Sequence, residues 1–302
     1  MIIRPETADD YAAIADVHAH AFGRAAEAII ADLHRHRSAF DPGLSLVAEV
    51  DGDVIGHALF SPRTIRLMDA DVPAVSLGPI AVLPVHQRQG VGAALIAEGH
   101  RGAAAKGCTV CYLVGHATYY PRFGYRTHAY GDTTVTVPTA ELPESDLEAT
   151  PVTYEDIPAL RDLWRAHDGA VDFAIDPGAS LMDWISPNPG MHSLVFRDGD
   201  AIVGYVRQHQ DRSAEPACFL ARDAGSALAV AGALARETTE ALTLPIHPRT
   251  LSADAFGPAR VQPFAAAMAI ELAPSPLEDY FTRIDAGTRP HGRVTRPVEF
   301  DL

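Results

Sequence analysis

The stretch HQRQGVGAALI, residues 86–96, places two glycines, Gly90 and Gly92, between an arginine and an alanine-rich run. Glycine has no Cβ, so its backbone adopts positive φ and comes close to a ligand without steric hindrance. The run that follows predicts a helix over about 90–105, and the first N–H groups of a helix have no partner inside it. Those donors, with the partial positive charge of the helix end, favour an anion. We therefore predict a diphosphate-binding turn between the buried strand 76–83 and this helix.

Three known phosphate-binding loops compete for this turn. A dinucleotide loop needs a third glycine where Leu95 stands, and an acidic residue about twenty positions later, where Val110 and Cys111 stand. A Walker loop needs Gly-Lys-Ser/Thr, which the stretch lacks. The pattern Q/R-x-x-G-x-G/A is the third, and residues 87–92 satisfy it.

Outward from the loop, the order of elements repeats. TADDYAAIADVHAHA (7–21) matches TYEDIPALRDLWRAH (153–167) in capping residue, acidic first turn and apolar spacing. SLVAEVDGDVIGH (45–57) matches SLVFRDGDAIVGY (193–205), and each predicts a β-hairpin turning on Asp-Gly. The second copy has RDAGSA in place of QRQGVG. The chain therefore looks like two copies of one α/β unit.

The predicted fold class is α/β (α+β), with two tandem units that are each a mixed, mostly antiparallel sheet flanked by helices. We expect a first domain over 1–138, an acidic, proline-containing linker over 139–151, a second domain over 152–273 and a tail over 274–302.

Composition limits the function classes. The net charge of −15 argues against nucleic acid, which needs clustered cations. There is no run of eighteen apolar residues and no evident signal peptide, so we expect a cytoplasmic protein without membrane contact. The three cysteines predict neither a disulfide framework nor a zinc site, and Cys108 and Cys111 are expected to be core residues on a strand. The His18/His20 and His34/His36 pairs point to different helix faces, so no metal is predicted.

With this loop, the sequence resembles the GCN5-related N-acetyltransferase family, and its YhbS-like subgroup in particular. The resemblance rests on SLGPIAVLPVHQRQGVGAALI (76–96) and YYPRFGY (119–125), and it extends over about residues 1–137. The tandem arrangement is similar to that of mycothiol synthase and related tandem acetyltransferases, in which one copy is often catalytically silent.

The resemblance implies acetyl-CoA as cosubstrate and assigns residues to it. The pantetheine arm is expected along the strand before the loop, where a backbone N–H would also polarise the thioester carbonyl. The pyrophosphate is expected on the loop, and the residues so assigned are Ile80, Ala81, Val82, Gln87, Arg88, Gln89, Gly90, Val91, Gly92 and Ala93.

The resemblance also places a catalytic tyrosine four residues before Gly124, which is Tyr120. A phenol, with a reference pKa near 10, stabilises or protonates a departing thiolate. Tyr119 is expected to be an amphipathic edge of the core. The base that deprotonates the amine is left open among Glu49, His57, His116 and the carboxylate of Leu302.

We therefore expect an acetyl-CoA-dependent N-acetyltransferase acting on a primary amine of a small molecule or peptide, by direct attack in a ternary complex. A non-catalytic acyl-CoA-binding or regulatory module and an acetyltransferase of protein N-termini or lysines are the alternatives. A homodimer is left open.

Overall fold

The structure is a computed structural model that describes residues 1–236, 240–293 and 297–301. The helices are α1 (Tyr11–Phe22), α2 (Ala26–Arg35), α3 (Val91–Ala105), α4 (Ile157–Asp168), α5 (Ala224–Ala235), α6 (Ala253–Phe256) and α7 (Leu277–Asp285). The strands are β1 (Ile2–Pro5), β2 (Ser45–Val50), β3 (Asp53–Leu67), β4 (Ala70–Val82), β5 (Val110–Val114), β6 (Tyr130–Pro138), β7 (Ala149–Pro151), β8 (Phe173–Ile175), β9 (Met191–Asp198), β10 (Ala201–His209), β11 (Cys218–Ala221), β12 (Ala241–Leu244), β13 (Arg260–Pro263), β14 (Ala267–Glu271) and β15 (Gly292–Arg293).

The chain divides into two compact units that each use more than one stretch of sequence. Unit 1 contains residues 1–65, 71–127 and 265–278. Unit 2 contains residues 66–70, 128–264 and 279–302, of which 237–239, 294–296 and 302 lie outside the described residues.

Unit 1 is built on a sheet in the order β1-β2-β3-β4-β5-β14, in which only β4 and β5 run parallel among the pairs with a described register. Helix α3 packs on this sheet because two glycines admit it. A Cβ on Gly99 of the helix would lie 1.9 Å from Cε2 of Phe60, and a Cβ on Gly56 of β3 would lie 3.1 Å from Cγ1 of Val91. This packing fixes the start of α3 beside the end of β4.

Unit 2 repeats the local devices of unit 1. Thr7 and Asp10 form a capping box before α1, and Thr153 and Asp156 form the same box before α4. Gly204 on β10 admits α5 as Gly56 admits α3, because a Cβ there would lie 2.5 Å from Cγ2 of Val230. The sheet order β11-β10-β9-β7 corresponds to the first four strands of unit 1.

The closing strands differ from the prediction. Strand β6 lies within the predicted first domain, 1–138, but it pairs with β12, β13 and β15 of unit 2. Conversely β14, expected in the second domain, pairs antiparallel with β5, from Ala267 opposite Val114 to Glu271 opposite Val110. Each half of the sequence thus gives one closing strand to the other half's unit. Strand pairing between distant segments leaves no local sequence pattern, so the expected boundaries at 138 and 273 missed it.

The expected linker and tail also carry ordered structure. Residues 149–151 of the linker form β7, whose Thr150 pairs with Val195 of β9. In the tail over 274–302, Tyr280 of α7 is completely buried, and Arg293 of β15 is 1% exposed. Both segments are therefore parts of the units.

The predicted fold class of mixed, mostly antiparallel sheets flanked by helices is confirmed. Both predicted Asp-Gly hairpins are present as β2–β3 and β9–β10. Within the described ranges, none of the helices combines the length and the apolar character that a membrane crossing requires.

Candidate active site

The loop before α3 holds an uncapped helix start. Gly90 is the N-cap residue with φ of 85°, and no side chain caps the first turn of α3. A Cβ on Gly90 would meet nothing within 4 Å, so the space above the loop is open. Arg88 also has positive φ, 60°, which is uncommon for a residue with a side chain. Such strained backbone conformations cluster at functional sites. The first N–H groups of α3 are therefore hydrogen-bond donors that an anion can reach.

Two glutamine side chains stabilise this loop through hydrogen bonds to the backbone. The Gln87 amide donates to the carbonyl oxygen of Val82 at 3.1 Å, and the Gln89 amide donates to that of Val85 at 2.9 Å. Their side chains thus shape the turn, and Gln89 does not line the cavity described below.

The end of β4 is a partly open strand edge. Strands β4 and β5 pair only from Ala74 opposite Val110 to Ser76 opposite Tyr112, so residues 80–82 run beyond this pairing. A strand that extends past its neighbour presents backbone donors and acceptors to an extended ligand. This is the edge along which the pantetheine arm was expected.

Tyr120 follows β5 in a short 3-10 turn and is 7% exposed. Its ring lies against Gly115, where a Cβ would come within 2.4 Å of Cε2, and edge-on to Tyr125 with centroids 5.8 Å apart. Burial, with smaller contributions from Tyr119 and Cys111, raises the pKa of Tyr120 to about 12. The phenol is therefore protonated, and a donor, throughout the physiological pH range.

These parts meet in one cavity of about 520 Å³ within unit 1. Of the eleven residues assigned from sequence, only Gln89 lies outside its lining. Four lining residues were not in the assigned set: His86, His116, Tyr119 and Arg122. His86, Tyr119 and Arg122 lie inside the two quoted stretches, 86–96 and 119–125, and His116 is one of the candidate bases, so the signal for all four was present in the sequence.

Of the described candidates for the base, only His116 lies in this cavity. Glu49 is bound to Arg4, with Oε2 2.7 Å from Nε. His57 is fully buried, with its ring nitrogens 2.8 Å from His18 Nε2 and 2.9 Å from Ser45 Oγ. Leu302 lies outside the described residues.

The buried histidine network makes unit 1 sensitive to acid. Burial, with smaller contributions from His57 and Arg35, lowers the pKa of His18 to about 3 from an ordinary 6.5. Below pH 6.5 the unfolded chain binds a proton at His18 that the folded chain does not bind. The free energy of unfolding therefore decreases as the pH decreases. For His18 we expect a loss of about 3 kcal/mol between pH 6.5 and 4. Urea unfolding of His18→Gln across this range should show a weaker pH slope than the parent. The exposed His20→Gln is the control, and an equal slope in all three proteins contradicts the assignment.

The cysteines lie in the core, as expected. Cys108, Cys111 and Cys218 are free and buried. Burial raises the pKa of Cys111 to about 12, and Cys111 Sγ accepts a hydrogen bond from the Tyr125 hydroxyl at 3.0 Å. In the part of the chain that the structure describes, there is no group of three His, Cys, Asp or Glu side chains placed to hold a metal ion.

The matching helix start in unit 2 is already filled. Asp223 is the N-cap of α5, and its carboxylate accepts from the backbone N–H of Ser226 at 2.7 Å. The position that is open at Gly90 in unit 1 is thus occupied in unit 2 by a carboxylate of the chain itself. The replacement of QRQGVG by RDAGSA therefore has a structural consequence.

Comparison with known proteins places this site in a family context. A family model described as an acetyltransferase (GNAT) domain matches residues 2–128. The curated "Uncharacterized N-acetyltransferase YjhQ" of Escherichia coli (strain K12) is 41% identical over 118 residues, which cover 38% of this chain and 64% of YjhQ. The match thus spans less than two thirds of that relative's length.

Two solved structures extend the comparison. A GNAT family acetyltransferase from Brucella melitensis, solved with acetyl-CoA, is 38% identical in an alignment that covers 42% of this chain and 83% of that one, with a TM-score of 0.38. A GCN5-related N-acetyltransferase from Kribbella flavida is 17% identical with a TM-score of 0.71, covering 90% of this chain and 72% of that one. The latter likeness concerns the fold, which recurs over nearly the whole chain.

Proposed function

We propose, from the match of residues 2–128 to an acetyltransferase (GNAT) domain, that the chain is an acetyl-CoA-dependent N-acetyltransferase acting on a primary amine of a small molecule or peptide. One observation carries the proposal. The uncapped start of α3, the open edge of β4 and the phenol of Tyr120 share a single cavity.

Three features of the cavity support coenzyme binding. The open space above Gly90 and the first N–H groups of α3 suit the diphosphate, with Arg88 adding a positive charge. Backbone groups of Ile80, Ala81 and Val82 suit the amides of the pantetheine arm. A cavity of about 520 Å³ is of the size that holds a small-molecule ligand.

The residues of this cavity divide the chemistry between them. Bound acetyl-CoA supplies an acetyl group activated as a thioester. A backbone N–H at Ile80 to Val82 donates to the carbonyl oxygen as it gains negative charge on amine attack. The Tyr120 hydroxyl donates to the sulfur as it departs, and its raised pKa keeps that proton in place beforehand.

The proposal is tested by transfer to an acceptor. Purified protein is incubated with acetyl-CoA and a panel of small amines, peptides with free N-termini and lysine peptides, and thiol release and acetylated product are both measured. Product with any member supports acetyl transfer, and the preferred member separates a small-molecule amine from an N-terminal or lysine amine of a polypeptide. A folded protein that binds acetyl-CoA without forming product with any member is instead a non-catalytic acyl-CoA-binding module.

Tyr120→Phe separates catalysis from binding. We expect kcat to fall about 100-fold, the size typical of removing a positioned acid, with the Kd for acetyl-CoA unchanged. Tyr125→Phe is the matched control, because it removes a hydroxyl from the ring packed edge-on to Tyr120. It should leave kcat within about threefold, since its hydroxyl faces His100 and Cys111 in the core. Equal losses in both variants would indicate a packing effect and contradict the assignment.

A further inference from the structure

The lining of the cavity includes two polar side chains that the motif assignment left out. Tyr119 and Arg122 flank Tyr120 and line the same cavity as Arg88 and Gly92. Tyr119 was expected to be a core edge, and its ring does pack on Tyr120 and Phe123 with centroids 5.2 and 5.1 Å away. The hydroxyl of Tyr119 lies outside this ring cluster, next to α3.

The Tyr119 hydroxyl reaches the first turn of α3. A Cβ on Gly92 would lie 2.8 Å from this oxygen, closer than such atoms approach. Glycine at 92 therefore leaves room for the hydroxyl beside the helix start. The hydroxyl and the start of α3 therefore adjoin each other and line the same cavity, where one ligand can contact both.

The Arg122 guanidinium lies beside the Tyr119 ring. Its Cζ lies 5.4 Å from the centroid of the Tyr119 ring, within the range of a cation–π contact. Neither Arg122 nor Arg88 forms an ion pair with the described residues, although the chain has 39 acidic against 24 basic side chains. Two guanidiniums without carboxylate partners on one cavity favour a ligand that carries more than one negative charge.

The Tyr119 hydroxyl is in the state that such a ligand needs. Burial raises the pKa of Tyr119, and the neighbouring Arg122 lowers it only in part. The group is thus a neutral donor at physiological pH, and a phosphate oxygen is an acceptor.

We propose that Tyr119 and Arg122 form a second phosphate-binding wall, beside the first turn of α3, that holds a phosphate group of the coenzyme together with the α3 loop. This inference rests on the proposed function, since it concerns the same cosubstrate. Coenzyme A carries a diphosphate and a separate 3′-phosphate, and both offer the chemistry that this wall recognises.

Calorimetric titration of the full chain with coenzyme A and with 3′-dephospho-coenzyme A tests the wall. Arg122→Gln should bind coenzyme A about tenfold or more weakly and with a shallower salt dependence. Tyr119→Phe keeps the ring beneath Arg122 and should weaken binding about threefold to tenfold. Arg101→Gln is the control, since it removes an equal charge from the exposed face of α3, where Arg101 pairs with Glu98.

Comparison of the two ligands identifies the phosphate. A loss confined to coenzyme A assigns Arg122 to the 3′-phosphate, and equal losses assign it to the diphosphate; both support the wall. Unchanged affinity for both ligands in a folded Arg122→Gln overturns it. A parent protein that binds neither ligand defeats the proposed function itself, and is thereby distinguished from failure of the wall alone.

Discussion

Replacing Gly90 by glutamate should abolish binding of acetyl-CoA. The substitution puts a Cβ and a negative charge into the open space at the start of α3, where we place the diphosphate. It also forces a side chain onto a backbone with φ of 85°, which favours glycine. We expect the Kd measured by calorimetry to rise about 100-fold or beyond detection, because like charges now meet at the helix start.

The chain offers a matched control at the other end of the same helix. Gly107 has φ of 86° and open space around its Cβ position, so Gly107→Glu introduces equal backbone strain and equal charge. We expect a similar drop in melting temperature but unchanged Kd. If both variants bind like the parent, the loop does not hold the diphosphate.

The parent titration also counts the sites. Because the Asp223 carboxylate fills the matching helix start in unit 2, we expect one coenzyme per chain. Two sites per chain would mean that unit 2 binds the coenzyme by another route.

A chain that ends at residue 138 should not fold cooperatively. It contains the whole family match, yet it lacks β14, whose Ala267, Met268 and Ala269 are fully buried in the sheet of unit 1. It also leaves β6 without β12, β13 and β15. An open edge on the buried strand β5 favours aggregation. Circular dichroism on heating should show no sharp transition, and calorimetry should show no coenzyme binding.

Two substitutions at Met268 make the same test in the intact chain. Met268→Ala should lower the free energy of unfolding by about 2–5 kcal/mol, since the residue is completely buried in the core of unit 1. Met268→Leu conserves volume and should cost less than about 1.5 kcal/mol. A truncated chain that melts within a few degrees of the parent and binds acetyl-CoA contradicts the role of β14.

The local features of the site follow from the sequence, and the long-range ones do not. Gly90, the helix after it and both capping boxes are encoded within a few residues, so pattern and propensity predict them. The burial of His57 depends on Glu6, Ser45 and His18, which are distant from it in sequence, and no local pattern separates it from the cavity residue His116. Likewise β6 and β14 have ordinary strand composition, and only their partners reveal which unit each completes.

Strands β6 and β14 each complete the unit formed mainly by the other half of the sequence, and this has a consequence for synthesis on the ribosome. Strand β5 ends at Val114 and its partner β14 begins at Ala267, so 152 residues lie between the two. At about 5–20 residues per second, translation takes roughly 8–30 seconds to cover that distance. Throughout this interval the nascent unit 1 cannot close its sheet, and the edge of β5 stays open to other chains or to a chaperone. Most of unit 1 precedes unit 2 in the sequence, but its sheet is completed only after most of unit 2 has been made.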